Sequence, residues 1–121
     1  MPIIVNVDHE HAEVRAIAVG AVTFDDVRSH LLLERHFRGL AYKELIDARG
    51  AWISFDEGET RKIAELIQKD GRETALGPTA VVVSDDVAFG VVRMIEVLVE
   101  DVCQVKPFRD AEEARSWLAA Q

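Results

Sequence analysis

The stretch "TAVVVSDDVAFGVVRMIEVLVED", Thr79 to Asp101, decides how this chain is read. Its first six residues, Thr79 to Ser84, are nearly all apolar. A strand covered on both faces reads this way, and such strands belong to parallel sheets. The remainder, from Asp85, reads as a helix, with Ser84 as its N-cap and Asp85 and Asp86 in its first turn. A strand feeding directly into a helix is the repeating unit of an α/β domain.

Working outward, "VCQVKPF" (Val102 to Phe108) reads as the next strand. "RDAEEARSWLAA" follows as a helix capped by Asp110, with Glu113 three residues on and Trp117 and Leu118 closing the core. Upstream, "YKELIDA" (Tyr42 to Ala48) is strand-like, and "SFDEGETRKIAELI" (Ser54 to Ile67) opens an amphipathic helix that Asp70-Gly71 ends. "PIIVNV" (Pro2 to Val7) and "VRAIAVGAV" (Val14 to Val22) are two strands separated only by "DHEHAE", most simply an antiparallel hairpin. Thr23 with Asp26 starts a first helix, with Val27, Leu31, Leu32 and Phe37 as its apolar stripe. Arg35, His36 and Arg38 suit its last turn before Gly39. The order β-β-α-β-α-β-α-β-α predicts one α/β domain over residues 1–121. Its sheet is mostly parallel and five-stranded, with the first strand added antiparallel at an edge.

The 121 residues suit one compact domain, and 49% hydrophobic with 30% charged residues is a globular balance. A net charge of −8, from 14 basic and 22 acidic side chains, argues against nucleic acid and anionic membranes. It favours a protein partner with a basic surface. Cys103 is the single cysteine and forms no internal disulfide, which fits a reducing compartment. "MPIIVNVDHE" has neither a basic region nor a long apolar stretch, so neither a signal peptide nor an anchor is expected. These features predict a bacterial-type cytoplasmic protein without membrane insertion.

The acidic start of the second helix is the first candidate site. Ser54 with Glu57 satisfies the capping-box spacing, and Asp56 with Glu59 offers a second cap. Ser54 and Thr60 are the hydroxyls there that a phosphate would take, although Asp56, Glu57 and Glu59 would repel it. His9 and His11 with Glu10 and Glu13 would make a two-ligand metal clip if extended, but their place in a hairpin tip reads as a solvated turn. His30 and His36 are badly spaced for a shared ligand face. No metal or cofactor is expected, and no hydrolase, P-loop or dinucleotide-binding arrangement can be assembled. A receiver-like phosphoacceptor is an alternative: "VDHE", "LIDA" and "VKPF" resemble receiver motifs, with Asp47 as acceptor, Ser84 at the hydroxyl position and Lys106 as the terminal lysine.

On the third helix, Arg93, Glu96 and Glu100 form one narrow polar stripe and apolar residues cover nearly all the rest. A helix on a sheet needs one apolar face, so the surplus predicts a partner, most economically a second copy. Val91, Ile95 and Leu98 are the candidate interface residues. Trp52, Phe55, Phe89 and Met94 are candidates to line a pocket for a small apolar molecule or lipid.

The segments "AVGAVTFDDVRSHL", "LIDARG", "TAVVVSDDVAFGVVRMIEV" and "VKPFRDAEEARSWLA", taken in order, resemble the SpoIIAA-like or STAS-like group of small proteins. The likeness runs from Val14 to nearly the end of the chain. It implies a non-enzymatic domain working by protein association, as in anti-sigma-factor antagonists, transporter appendages and standalone domains of unassigned role. In the best-understood relatives, a serine of a D-S-S-G-like motif opening the second helix is a phosphorylation switch. Asp56-Glu57-Gly58 occupies that place, with Glu57 where the serine would stand, so the switch serine is absent here. A charged residue at Val91 or Ile95 is accordingly expected to turn a sedimenting dimer into monomer.

Overall fold

The computed structural model describes residues 2–37 and 40–121. The element order is β1 (Ile3–Asp8), β2 (Glu13–Val22), α1 (Phe24–His36), β3 (Lys43–Ile53), α2 (Glu57–Glu73), β4 (Thr79–Val82), α3 (Asp86–Val99), β5 (Val105–Phe108) and α4 (Ala111–Ala119). The five strands form one sheet in the order β1-β2-β3-β4-β5, with β1 antiparallel to β2 and every other pair parallel. The α/β class, the element order and the antiparallel edge strand are as the sequence predicts. Sequential strand order has a direct consequence. Right-handed crossovers that always step the same way put α1, α2 and α3 on the same face.

Alternation along β4 shows the two faces. Val81 and Val83 pack in the cluster that includes Ala88, Val92, Val99 and Cys103, beneath α2 and α3. Ala80 and Val82 pack on the opposite side with Phe108, Ala114 and Leu118, against α4. Leu118 is buried there and Trp117 packs at its edge, its ring centroid 5.7 Å from that of Phe108. Because α4 packs mainly on β3, β4 and β5, most of the outer side of β1 and β2 is uncovered. Ile4 and Ile17 face each other in register there, 67% and 52% exposed.

Several elements begin or end elsewhere than their local patterns indicate. β3 continues past Ala48 to Ile53, because Gly50 to Ile53 pair with Val19 to Val22 beyond a bulge. β5 begins at Val105, and Cys103 lies buried in the preceding turn. The α2 cap is Asp56, not Ser54: Asp56 and Glu59 exchange reciprocal bonds of 2.8 and 3.1 Å. Ser54 still belongs to the sheet edge, its N–H bonding Val22 O. The α3 cap is Asp85, not Ser84, whose hydroxyl instead donates to Arg49 O at 2.7 Å. Thr23 with Asp26 caps α1 as expected, while Arg38 and the helix stop at Gly39 lie outside the described residues.

The inward faces of α1 and α3 also differ from expectation. On α1, Leu32 and Phe37 are exposed and the inward residues are Val27, His30, Leu31 and Glu34. On α3, Ile95 and Leu98 pack on the core, and Val91 lines a cavity beneath α1. The exposed apolar residues of α3 are Val87 and Val97, so a charge at Val91 or Ile95 strikes the interior rather than an outer face.

The caps give a direct check. Asp56→Ala should cost about 1 kcal/mol by urea denaturation, whereas Ser54→Ala should stay within about 0.5 kcal/mol of the parent. Equal losses for both would contradict the assignment of the cap to Asp56.

Candidate functional site

Between α1 and the sheet lies a cavity of about 180 Å³. Its origin is in the sequence of the floor. The inward positions there include Ala18 of β2 and Ala48 and Ala51 of β3. Alanines leave a gap that Val27 and Leu31 above and Ile63, Ile67, Val91 and Ile95 at the side do not fill. The lining is mostly apolar; its polar residues are His30, Glu34 and Glu44, which meet at one end, with Asp70 and Thr79.

Those three residues come from two elements. His30 and Glu34 are one helical turn apart on the inward face of α1. Glu44 is the second residue of β3, pointing to the same face as its register partner Val14. All three are buried, at 7%, 4% and 5% exposure. His30 Nε2 lies 2.5 Å from Glu34 Oε1 and 2.8 Å from Glu44 Oε2. One imidazole nitrogen carries at most one proton, so it cannot fully satisfy two carboxylates. Glu34 Oε1 has no hydrogen bond of good geometry, and His30 Nδ1 has no partner among the described residues.

The electrostatics follow from burial. Burial alone would lower the His30 pKa, but hydrogen bonds and charge from Glu34 and Glu44 outweigh it and push it up to about 10. Burial, reinforced by the Glu44 charge and opposed by His30, pushes Glu34 up to about 8. Cys103, also lining the cavity, is pushed up to about 11 by burial and then by the same two glutamates, which makes it a poor nucleophile. A second tie holds α1 to α2: Arg35 pairs with Asp70 and, at 3.0 Å, with Glu73.

The residues singled out from the sequence scatter around this site. Phe55 lines the cavity, and Trp52 borders it while remaining 56% exposed beside Ala21. Phe89 and Met94 do not line it; Phe89 packs on the α2–α3 core under the Arg109 guanidinium. At the start of α2, Ser54, Asp56 and Glu57 are exposed, but Thr60 is 1% exposed and its hydroxyl bonds Asp56 O at 3.0 Å. His9 and His11 turn to different partners, Tyr42 Oη and Asp8.

The receiver geometry is not assembled. Asp47 lies within β3, chelated by Arg49, whose hydrogen bonds hold its carboxyl below the usual range. Asp8 pairs through Glu13 with Lys43, at the start of β3 rather than at the carboxyl ends of the strands.

The stripe Val27, Leu31, Leu32 and Phe37 predicts that α1 turns Leu32 and Phe37 inward, and this hides the buried triad in the sequence. The available signal was the i, i+4 spacing of His30 and Glu34 on the same stripe as Val27 and Leu31.

No family model and no curated protein matches this chain. In structure it is similar to an uncharacterized protein from the DUF3478 family with a SpoIIAA-like fold, from Shewanella loihica PV-4. That likeness has a TM-score of 0.63 at 20% sequence identity, over 96% of this chain and 93% of the other. The chain has a SpoIIAA-like fold. Among the described residues, no helix is long and apolar enough to cross a membrane.

The raised pKa values set a pH dependence with a definite sign. His30 and Glu34 bind protons more tightly in the folded chain than at their ordinary values of 6.5 and 4.5. The stability they contribute is full below those ordinary values, and it is lost as pH rises through about 8 for Glu34 and about 10 for His30. Melting temperature should therefore fall by roughly 5 °C or more between mildly acidic and strongly alkaline buffer. The double variant His30→Gln/Glu34→Gln should flatten that fall, and an unaltered slope would contradict the assignment.

Proposed function

We propose that this SpoIIAA-like domain is a non-enzymatic binding module that takes a small, mostly neutral apolar group into the cavity under α1. The observation that carries the reading is the cavity itself: about 180 Å³, walled by apolar side chains, with polar groups converging at one end. Ligand sites have this composition, an apolar lining with a few placed polar groups. An apolar void of about 150 Å³ accommodates benzene, so the group bound is an aromatic ring or a short alkyl segment.

A second reading is association with another copy through the outer side of β1, β2 and the end of β3. It is favoured by Ile4, Ile17, Val19 and Trp52, which are each more than half exposed on β1, β2 and the last residues of β3. This differs from the α3 face that the sequence suggests. Phosphate control at the start of α2 has only Ser54 as an exposed hydroxyl to work on, since Thr60 is buried.

Indole titrated into the protein should perturb amide resonances of Ala18, Ala51 and Ile63 in a saturable way. Ala18→Val, which adds two methyl groups at the cavity floor, should weaken indole at least tenfold without lowering the melting temperature. Absence of saturable binding, or equal binding by the variant, would overturn the ligand reading. A monomer in sedimentation at high micromolar concentration would remove the association reading.

A further inference from the structure

We propose that His30, Glu34 and Glu44 form a binding site for a first-row divalent metal ion of the zinc type. The inference is independent of whether the cavity takes an apolar group.

The first argument is geometric. A histidine that merely ties two elements together would use its two ring nitrogens for two acceptors. Here both carboxylates converge on Nε2, at 2.5 and 2.8 Å, while Nδ1 is left without a partner among the described residues. Three atoms that each offer a lone pair to a cation thus lie around one point, within 4.8 Å of one another. Zinc–nitrogen and zinc–oxygen bonds of about 2.0–2.2 Å would space tetrahedral ligand atoms roughly 3.3 Å apart.

The second argument is charge. In the deprotonated form that ligates a metal, one neutral imidazole and two carboxylates carry two negative charges where each residue is more than nine-tenths buried. Uncompensated buried charge is strongly unfavourable. Among the described residues no arginine or lysine is paired with Glu34 or Glu44; Arg35, next in sequence, turns instead to Asp70 and Glu73. One divalent cation, taking the place of the protons that His30 and Glu34 hold in its absence, would cancel that charge completely.

The third argument is ligand type and coordination number. One imidazole and two carboxylates suit zinc, manganese, iron or cobalt better than calcium or magnesium, which prefer all-oxygen shells. Three protein ligands leave a fourth position, and all three residues line the cavity, so that position faces the apolar chamber. This is the arrangement of an accessible site rather than a closed structural one.

The test uses the full chain stripped with a chelator and then titrated with zinc or cobalt(II). One equivalent per chain should bind, raise the melting temperature by roughly 5 °C or more, and give cobalt(II) visible absorption of low-symmetry nitrogen–oxygen coordination. Glu34→Gln and Glu44→Gln should each weaken zinc at least 100-fold, while the double variant His9→Ala/His11→Ala should bind as the parent does. Should the glutamine variants fail to fold, cobalt(II) in the parent should still shift the proton resonances of Ala18 and Leu31 paramagnetically. Absence of stoichiometric binding, parent-like binding by the folded glutamine variants, loss of binding on removing His9 and His11, or unshifted cavity resonances would each overturn the proposal.

Discussion

The contact between His30 and Glu44 joins the first helix to the third strand across an otherwise apolar gap, and the interior beneath that helix is arranged around it. α1 contributes only Val27 and Leu31 as apolar side chains toward the cavity. The floor below it contains alanines, so hydrophobic contact there is sparse. The polar tie to β3 and the Arg35 pairing to Asp70 of α2 hold α1 at a distance set by side-chain length rather than by close packing. The cavity is the space that this spacing leaves.

Such an arrangement is costly as a stabilising device. Buried ion pairs are often neutral or unfavourable compared with well-packed apolar residues of similar volume. Three ionisable groups in one buried cluster, two of them with strongly raised pKa values, exceed what attaching a helix requires. Clusters of this kind concentrate where chemistry or binding occurs. Elsewhere the chain follows the economical course: the α2–α3 layer and the α4 layer are closed by aliphatic, aromatic and small side chains.

The start of α2 illustrates the opposite case. Its acidic residues form a cap, with Asp56 and Glu59 exchanging bonds and Glu57 reaching toward Arg61 at 3.4 Å. These interactions fix where the helix begins and saturate the groups involved. Thr60 is consumed in the same way, its hydroxyl spent on the Asp56 carbonyl. A region that looked rich in chemistry is satisfied by local hydrogen bonding, whereas the cluster with unsatisfied atoms lies on a helix whose sequence suggested only packing.

The sequence by itself determined the element order, the α/β class, the antiparallel edge strand and the α1 and α4 caps. These depend on local periodicity, on the apolar run from Thr79 to Ser84, and on short-range spacing such as Thr23 with Asp26 and Asp110 with Glu113. It left the strand order open and misjudged which way α1 and α3 turn. The helical stripe Val27, Leu31, Leu32, Phe37 and the stripe Val27, His30, Leu31, Glu34 are both periodic, and only the position of β3 decides between them. Glu44 is fourteen residues from His30. The parallel register brings Glu44 beside Val14 on the inner face, and that pairing is a property of the whole sheet. The triad and its cavity therefore belong to the tertiary structure, because a site built from a helix and a strand exists only once the sheet has fixed the distance between them.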